Sequence, residues 1–99
     1  MTREENLIVV AAEECNELAK ELMKAMRFGP DGCHPDEPDI TNSERILIEY
    51  TQLRAVMDML IINRAIKPIP KEWENQIYRD KVSTVEHWEQ YSKEIGTVN

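Results

Sequence analysis

Glycine is scarce in this chain, with three in 99 residues, while hydrophobic residues make up 41% and the net charge is -7. That balance excludes a disordered acidic tail and leans towards a soluble, globular, helical chain. Basic residues are also short, 12 against 19 acids, and form no long run. Nothing here could displace counterions along a phosphate backbone, so duplex DNA and anionic membrane are excluded as the main ligand. A small phosphorylated ligand stays open where a metal or a local basic cluster offsets the charge. Long apolar runs are missing too. The longest early one, Leu7 to Ala12, is too short for a membrane span, and the mixed charges before it do not make a secretory signal. A cytoplasmic protein is the expectation. Cysteine is limited to Cys15 and Cys33, too few for a secreted disulfide framework. Zinc is disfavoured because Cys15, Cys33, His34 and His87 show neither Cys-x-x-Cys nor His-x-x-x-His spacing.

What is present reads as three helices in one domain covering residues 1–99. Thr2 with Glu5 has the capping-box pattern, and the stripe Leu7, Ala11, Cys15, Leu18, Leu22, Met26 predicts a helix from Arg3 to Phe28. Gly29 and Pro30 end it. From Gly29 to Ile40, three prolines and two glycines predict a loop, whose acids lack the spacing of an EF-hand. Thr41 with Glu44 repeats the capping box, and Ile46, Tyr50, Leu53, Met57 and Leu60 predict a second helix to about Ala65. Pro68 and Pro70 break the chain, and Pro70 can open a third helix carrying Trp73, Ile77, Trp88, Tyr91 and Ile95. The fold class is all-α, an antiparallel helical hairpin plus a long C-terminal helix. Apolar residues on more than one face of the first two helices, such as Ile8, Val9, Ile48, Met59 and Ile61, point to a homo-oligomer, a dimer or tetramer completing a helical bundle.

The informative stretch is Glu13-Glu14-Cys15-Asn16-Glu17, followed by Glu21, Lys24 and Arg27. Helical spacing puts Glu14, Glu17, Glu21 and Lys24 on one stripe. Crowded carboxylates need a cation or water, so the stripe is either a metal site or a solvated face. On the second helix Arg45, Glu49, Gln52 and Val56 border the buried stripe. Helices packed roughly 8 to 10 Å apart would bring Glu49 opposite the acids of the first. Magnesium prefers oxygen ligands of this kind, commonly one or two carboxylates with waters and phosphates. Lys24 and Arg27 could then neutralise phosphate oxygens. Taken singly, such residues are more often surface charges near a helix C-terminus, where they interact favourably with the dipole. His34 and His87 read as bystanders, the methionines as packing, and the Trp73 and Trp88 stripe as core or subunit interface.

These blocks resemble the MazG-like all-α nucleoside triphosphate pyrophosphohydrolases, particularly the short viral and bacterial members. Glu13 to Leu18, Lys24 to Gly29, Glu49 to Leu60, and Val85 to Gly96 carry the likeness, which extends over nearly the whole chain. The resemblance implies a metal motif of Glu-x-x-Glu on one helix and Glu-x-x-Asp on the next. Its first half falls on Glu14 and Glu17. From the second half Glu49 matches, but Gln52 stands where the family has Asp. Gln keeps a carbonyl oxygen but lacks the charge and basicity of a carboxylate. The resemblance therefore implies Mg2+ on Glu14, Glu17 and Glu49, with Lys24, Arg27 and Gln52 towards a nucleotide ligand. Two functions follow from it. One is hydrolysis of a nucleoside triphosphate to monophosphate and pyrophosphate. The other is a catalytically degenerate protein that sequesters a nucleotide, cyclic or signalling ones included, without hydrolysis. A third reading is an oligomeric structural protein with neither property.

Overall fold

The computed structural model describes residues 1–99. It holds three helices and a small sheet: α1 (Arg3–Phe28), β1 (Cys33–His34), β2 (Glu37–Thr41), α2 (Asn42–Ile62) and α3 (Lys71–Glu94). The chain divides into two compact units, Met1–Lys67 and Pro68–Asn99.

The first unit is a helical hairpin. Both of its helices open with a reciprocal capping box. Thr2 Oγ1 accepts from the Glu5 amide at 3.1 Å, and Thr41 Oγ1 accepts from the Glu44 amide at 3.1 Å, while each glutamate carboxylate accepts the cap residue's own N–H. Two orphan amides per helix are satisfied this way. The hydrogen bonds to Thr41 also hold the Glu44 carboxyl below its ordinary pKa of 4.5. α1 ends at Gly29, whose φ of 90° suits a residue without Cβ. α2 ends at Ile62, short of Ala65, because Arg64 turns into the left-handed region at φ 60°. The amide of Ala65 then donates back to Leu60 O at 2.8 Å.

Residues 29–40, expected to be loop, hold most of a two-stranded antiparallel sheet that ends at Thr41, so the fold is mostly rather than wholly helical. Cys33 pairs with Thr41 and His34 with Glu37, with an irregularity between the two pairs. Pro38 is tolerated in β2 because each strand of a two-stranded sheet is an edge. The first turn of α2 is tied to this segment. Asn42, buried, donates from Nδ2 to Gly29 O at 2.8 Å and from its amide to Gly32 O at 2.8 Å, and the Ser43 amide donates to Pro30 O at 2.9 Å. A Cβ at Gly32 would stand 2.9 Å from Phe28 O, a backbone atom that cannot swing away. Gly32→Ala is accordingly expected to destabilise the fold by about 1–3 kcal/mol, the usual cost of overpacking. An unchanged midpoint in urea denaturation would contradict that contact.

α1 and α2 run antiparallel, which places Arg3 at the start of α1 against Asn63 at the end of α2 through a side-chain hydrogen bond. The apolar core lies at that end: Leu7, Ala11 and Leu60, with Val56 and Ala65 packed against them. It is small, and no large side chain is fully buried.

The second unit is α3 with its tail. Pro70 caps the helix without a side-chain hydrogen bond, and Gly96 follows its end at φ 85°. The helix supports itself with pairs along its own surface, among them Lys93–Glu89 at 3.3 Å and an edge-to-face contact of Trp88 with Tyr91 at 5.6 Å. None of its residues is buried. No helix of the chain is long and apolar enough to cross a membrane.

Candidate functional site

The hairpin's inner seam alternates spacings of four and three residues. Shielded positions with that spacing are Leu7, Ala11, Glu14, Leu18, Glu21 and Ala25 on α1 and Asn42, Arg45, Glu49, Leu53, Val56 and Leu60 on α2, with Val10 and Lys24, and Ser43 and Ile46, partly shielded beside them. That is the spacing of residues meeting a partner helix. The seam is apolar at one end and acidic in its middle, where Glu14 and Glu21 occupy positions that packing alone would give to Leu.

Glu21 is the most enclosed of these acids, at 7% exposure. Its Oε1 lies 3.8 Å from Lys24 Nζ, a long pairing. The other oxygen of Glu21, and Oε2 of Glu14 and of Glu49, are shielded from solvent and have no hydrogen-bond partner. Shielded carboxylate oxygens without donors are costly and uncommon. Glu49 registers the crowding. Partial burial, followed by the charges of Glu14, Glu17 and Glu21, raises its pKa above the ordinary 4.5, and Lys20 opposes the rise. Glu14 and Glu21 of α1 thus share the seam with Glu49 of α2, with Glu17 near enough for its charge to be felt.

Glu17 is exposed and pairs with Lys20 at 3.6 Å. Arg27 is exposed, with its guanidinium carbon 5.1 Å from the centre of the Phe28 ring. Gln52 falls outside the seam. It lines a shallow apolar depression on α2 with Glu44, Leu47, Ile48 and Thr51. No three His, Cys, Asp or Glu side chains form a group that could hold a metal ion as they stand.

Beyond Glu21 and Glu49 lies a cavity of about 460 Å³ between the end of α1, the hairpin and the first turns of α2. Lys24, Phe28, His34, Pro35, Asn42 and Arg45 line it, along with Cys33. Arg45 pairs with Glu37 at 3.0 Å, while its Nε makes no hydrogen bond. Both cysteines are unpaired. Lys24 is the one expected ligand-binding residue on this cavity. Arg45, Phe28, Asn42 and His34, the last read from sequence as a bystander, join it only through the hairpin. No protein-family model, no curated protein and no solved structure matches the chain.

Proposed function

We propose that the protein is a nucleotide-binding, MazG-like hydrolase that converts nucleoside triphosphates to monophosphate and pyrophosphate with Mg2+. The observation that carries this reading is the acidic seam: three shielded carboxylate oxygens without partners, from Glu14, Glu21 and Glu49, across two facing helices. Hard oxygen donors of this kind fit Mg2+ in chemistry, and the long, rotatable glutamate side chains would have to draw together to share it. Glu17, exposed and paired with Lys20, is the natural supplier of a further oxygen. Bound there, Mg2+ would supply charge neutralisation at the phosphates and a more acidic bound water. In the reaction a water oxygen bonds to the α-phosphorus, the bond from that phosphorus to the bridging oxygen breaks, and pyrophosphate leaves. Lys24 and Arg27 favour the phosphate oxygens through charge.

Glu21 also bears on the missing acid. The position matching the family's Asp is Gln52, outside the seam. Glu21 restores a fourth carboxylate from α1, at the seam position between Leu18 and Ala25. Incubation with mixed nucleoside triphosphates and Mg2+, followed by mass spectrometry, is expected to yield monophosphate and pyrophosphate. Intact nucleotide recovered from the denatured protein would support the sequestering reading instead, which the exclusion of Gln52 from the acids favours. Recovery of neither would leave both without support.

The same reading includes a cytoplasmic setting, consistent with the two free thiols, and self-association. Leu22, Met26, Leu47 and Ile48 on the hairpin are 43–87% exposed, and Trp73, Ile77, Trp88 and Tyr91 on α3 are 47–57% exposed. Apolar surface on this scale is normally covered, and a second copy of the chain offers matching faces. Light scattering after gel filtration is expected to give at least twice the monomer mass of 11.6 kDa; a monomer at micromolar concentration would contradict it.

A further inference from the structure

The cavity beside the acidic seam has a polarity of its own. Lys24 lies one turn from Glu21 on α1 and Arg45 one turn from Glu49 on α2, so its two cations stand on the side nearest the acids. The remaining wall holds Phe28, Pro35 and His34, with Cys33 and Asn42. Arg45 carries an Nε–H that is shielded and unpartnered, a vacant donor of the kind that donates to a phosphate oxygen. His34 Nδ1 accepts the Asp36 amide proton at 3.0 Å, so the neutral ring keeps its proton on Nε2 and offers a donor there. A volume of about 460 Å³ falls within the usual range for a small-molecule site.

We infer that this cavity seats a nucleoside phosphate, with its α-phosphate on Arg45 and Lys24 and its base against Phe28, Pro35 and His34. Because the ligand is a nucleotide, the inference rests on the reading above. It adds that Arg45, rather than the exposed Arg27, is the principal phosphate residue, and that affinity does not require the metal. A phosphate at Lys24 and Arg45 would also put the reacting phosphorus beside Glu21 and Glu49. An apolar small molecule is a poorer occupant, since it would desolvate Lys24, Arg45 and the unpartnered Arg45 Nε–H while supplying no acceptor.

The test is an amide NMR titration of the full chain with adenosine, guanosine, cytidine and uridine monophosphates in EDTA. At least one is expected to bind saturably, with shifts concentrated at Phe28, His34, Asn42 and Arg45. Arg45→Gln is expected to weaken that binding at least tenfold, and Phe28→Ala likewise, whereas Lys93→Gln, on α3, leaves it unchanged. Because Arg45→Gln also removes the pair with Glu37, Glu37→Gln, which loses the same pair but keeps the guanidinium, serves as a second comparison and is expected to retain binding. Absence of saturable binding, shifts confined to Thr51 and Gln52, or a loss with Glu37→Gln matching that with Arg45→Gln would overturn the inference. Magnesium-dependent hydrolysis persisting alongside any of those results would overturn it while sparing the hydrolase reading. Metal-free binding in the cavity without hydrolysis would do the reverse.

Discussion

Glu49→Gln is expected to raise the thermal midpoint of the metal-free protein at pH 7 and, in the same variant, to lower magnesium-dependent turnover by on the order of 100-fold or more, as when a charge-stabilising group is lost. The stability half follows from the raised pKa of Glu49, whose causes are partial burial and the charges of Glu14, Glu17 and Glu21. The folded chain holds this proton more tightly than the unfolded chain does. Below the unfolded value of 4.5 the carboxyl is neutral in both states; as pH rises from there through the folded value, stability is lost. A neutral amide at position 49 removes that loss, so the gain should be present at pH 7 and vanish below the unfolded value. Thermal denaturation of both proteins in EDTA at several pH values reads this directly. A variant less stable than the parent at pH 7 would mean that Glu49 is held by favourable contacts rather than by crowding. Opposite signs for stability and activity are what a site maintained for function at a cost in folding should give.

Leu60→Ala is expected to cost about 2–5 kcal/mol, the range for removing a buried leucine when its surroundings relax only in part. Leu60 is 3% exposed and packs with Leu7 and Ala11, which together form the hairpin's buried apolar cluster. Total stability for a small domain is only about 5–15 kcal/mol, so this one truncation can remove a large part of it. Urea denaturation compares the variants, and a shift below about 1 kcal/mol would show that the core lies elsewhere. The acidic middle of the seam makes Leu60 more important, because Glu14, Glu21 and Glu49 occupy positions where apolar contacts would otherwise share the load.

The helices were legible because their signals are local. Thr2 with Glu5, and Thr41 with Glu44, announce both N-termini, and both capping boxes form. Gly29 announces the end of α1. The sheet within residues 29–40 was not legible, since Pro30, Pro35 and Pro38 read as loop and two short strands carry no alternation to detect. Helical spacing foresaw Glu14 and Glu49 facing each other. It placed Glu21 on the same stripe without singling it out, although the alternating interval from Leu7 through Ala11, Glu14, Leu18 and Glu21 to Ala25 marks it as a seam position. Gln52 shows the limit of reading one helix alone. Three residues separate it from Glu49, yet the partner helix covers Glu49 and leaves Gln52 exposed. The cavity was beyond sequence reasoning because Phe28, His34 and Arg45 come from three elements, brought together by hydrogen bonds from Asn42 and Ser43.

The proposed hydrolysis depends on whether the acidic seam takes up a divalent cation. Isothermal titration of the full chain with Mg2+ at pH 7 measures this without any assumption about the nucleotide. Saturable binding that is abolished in both Glu21→Gln and Glu49→Gln, with both variants still folded by circular dichroism, is the predicted result. No saturable binding to the parent protein, or binding that survives both substitutions, would contradict the account.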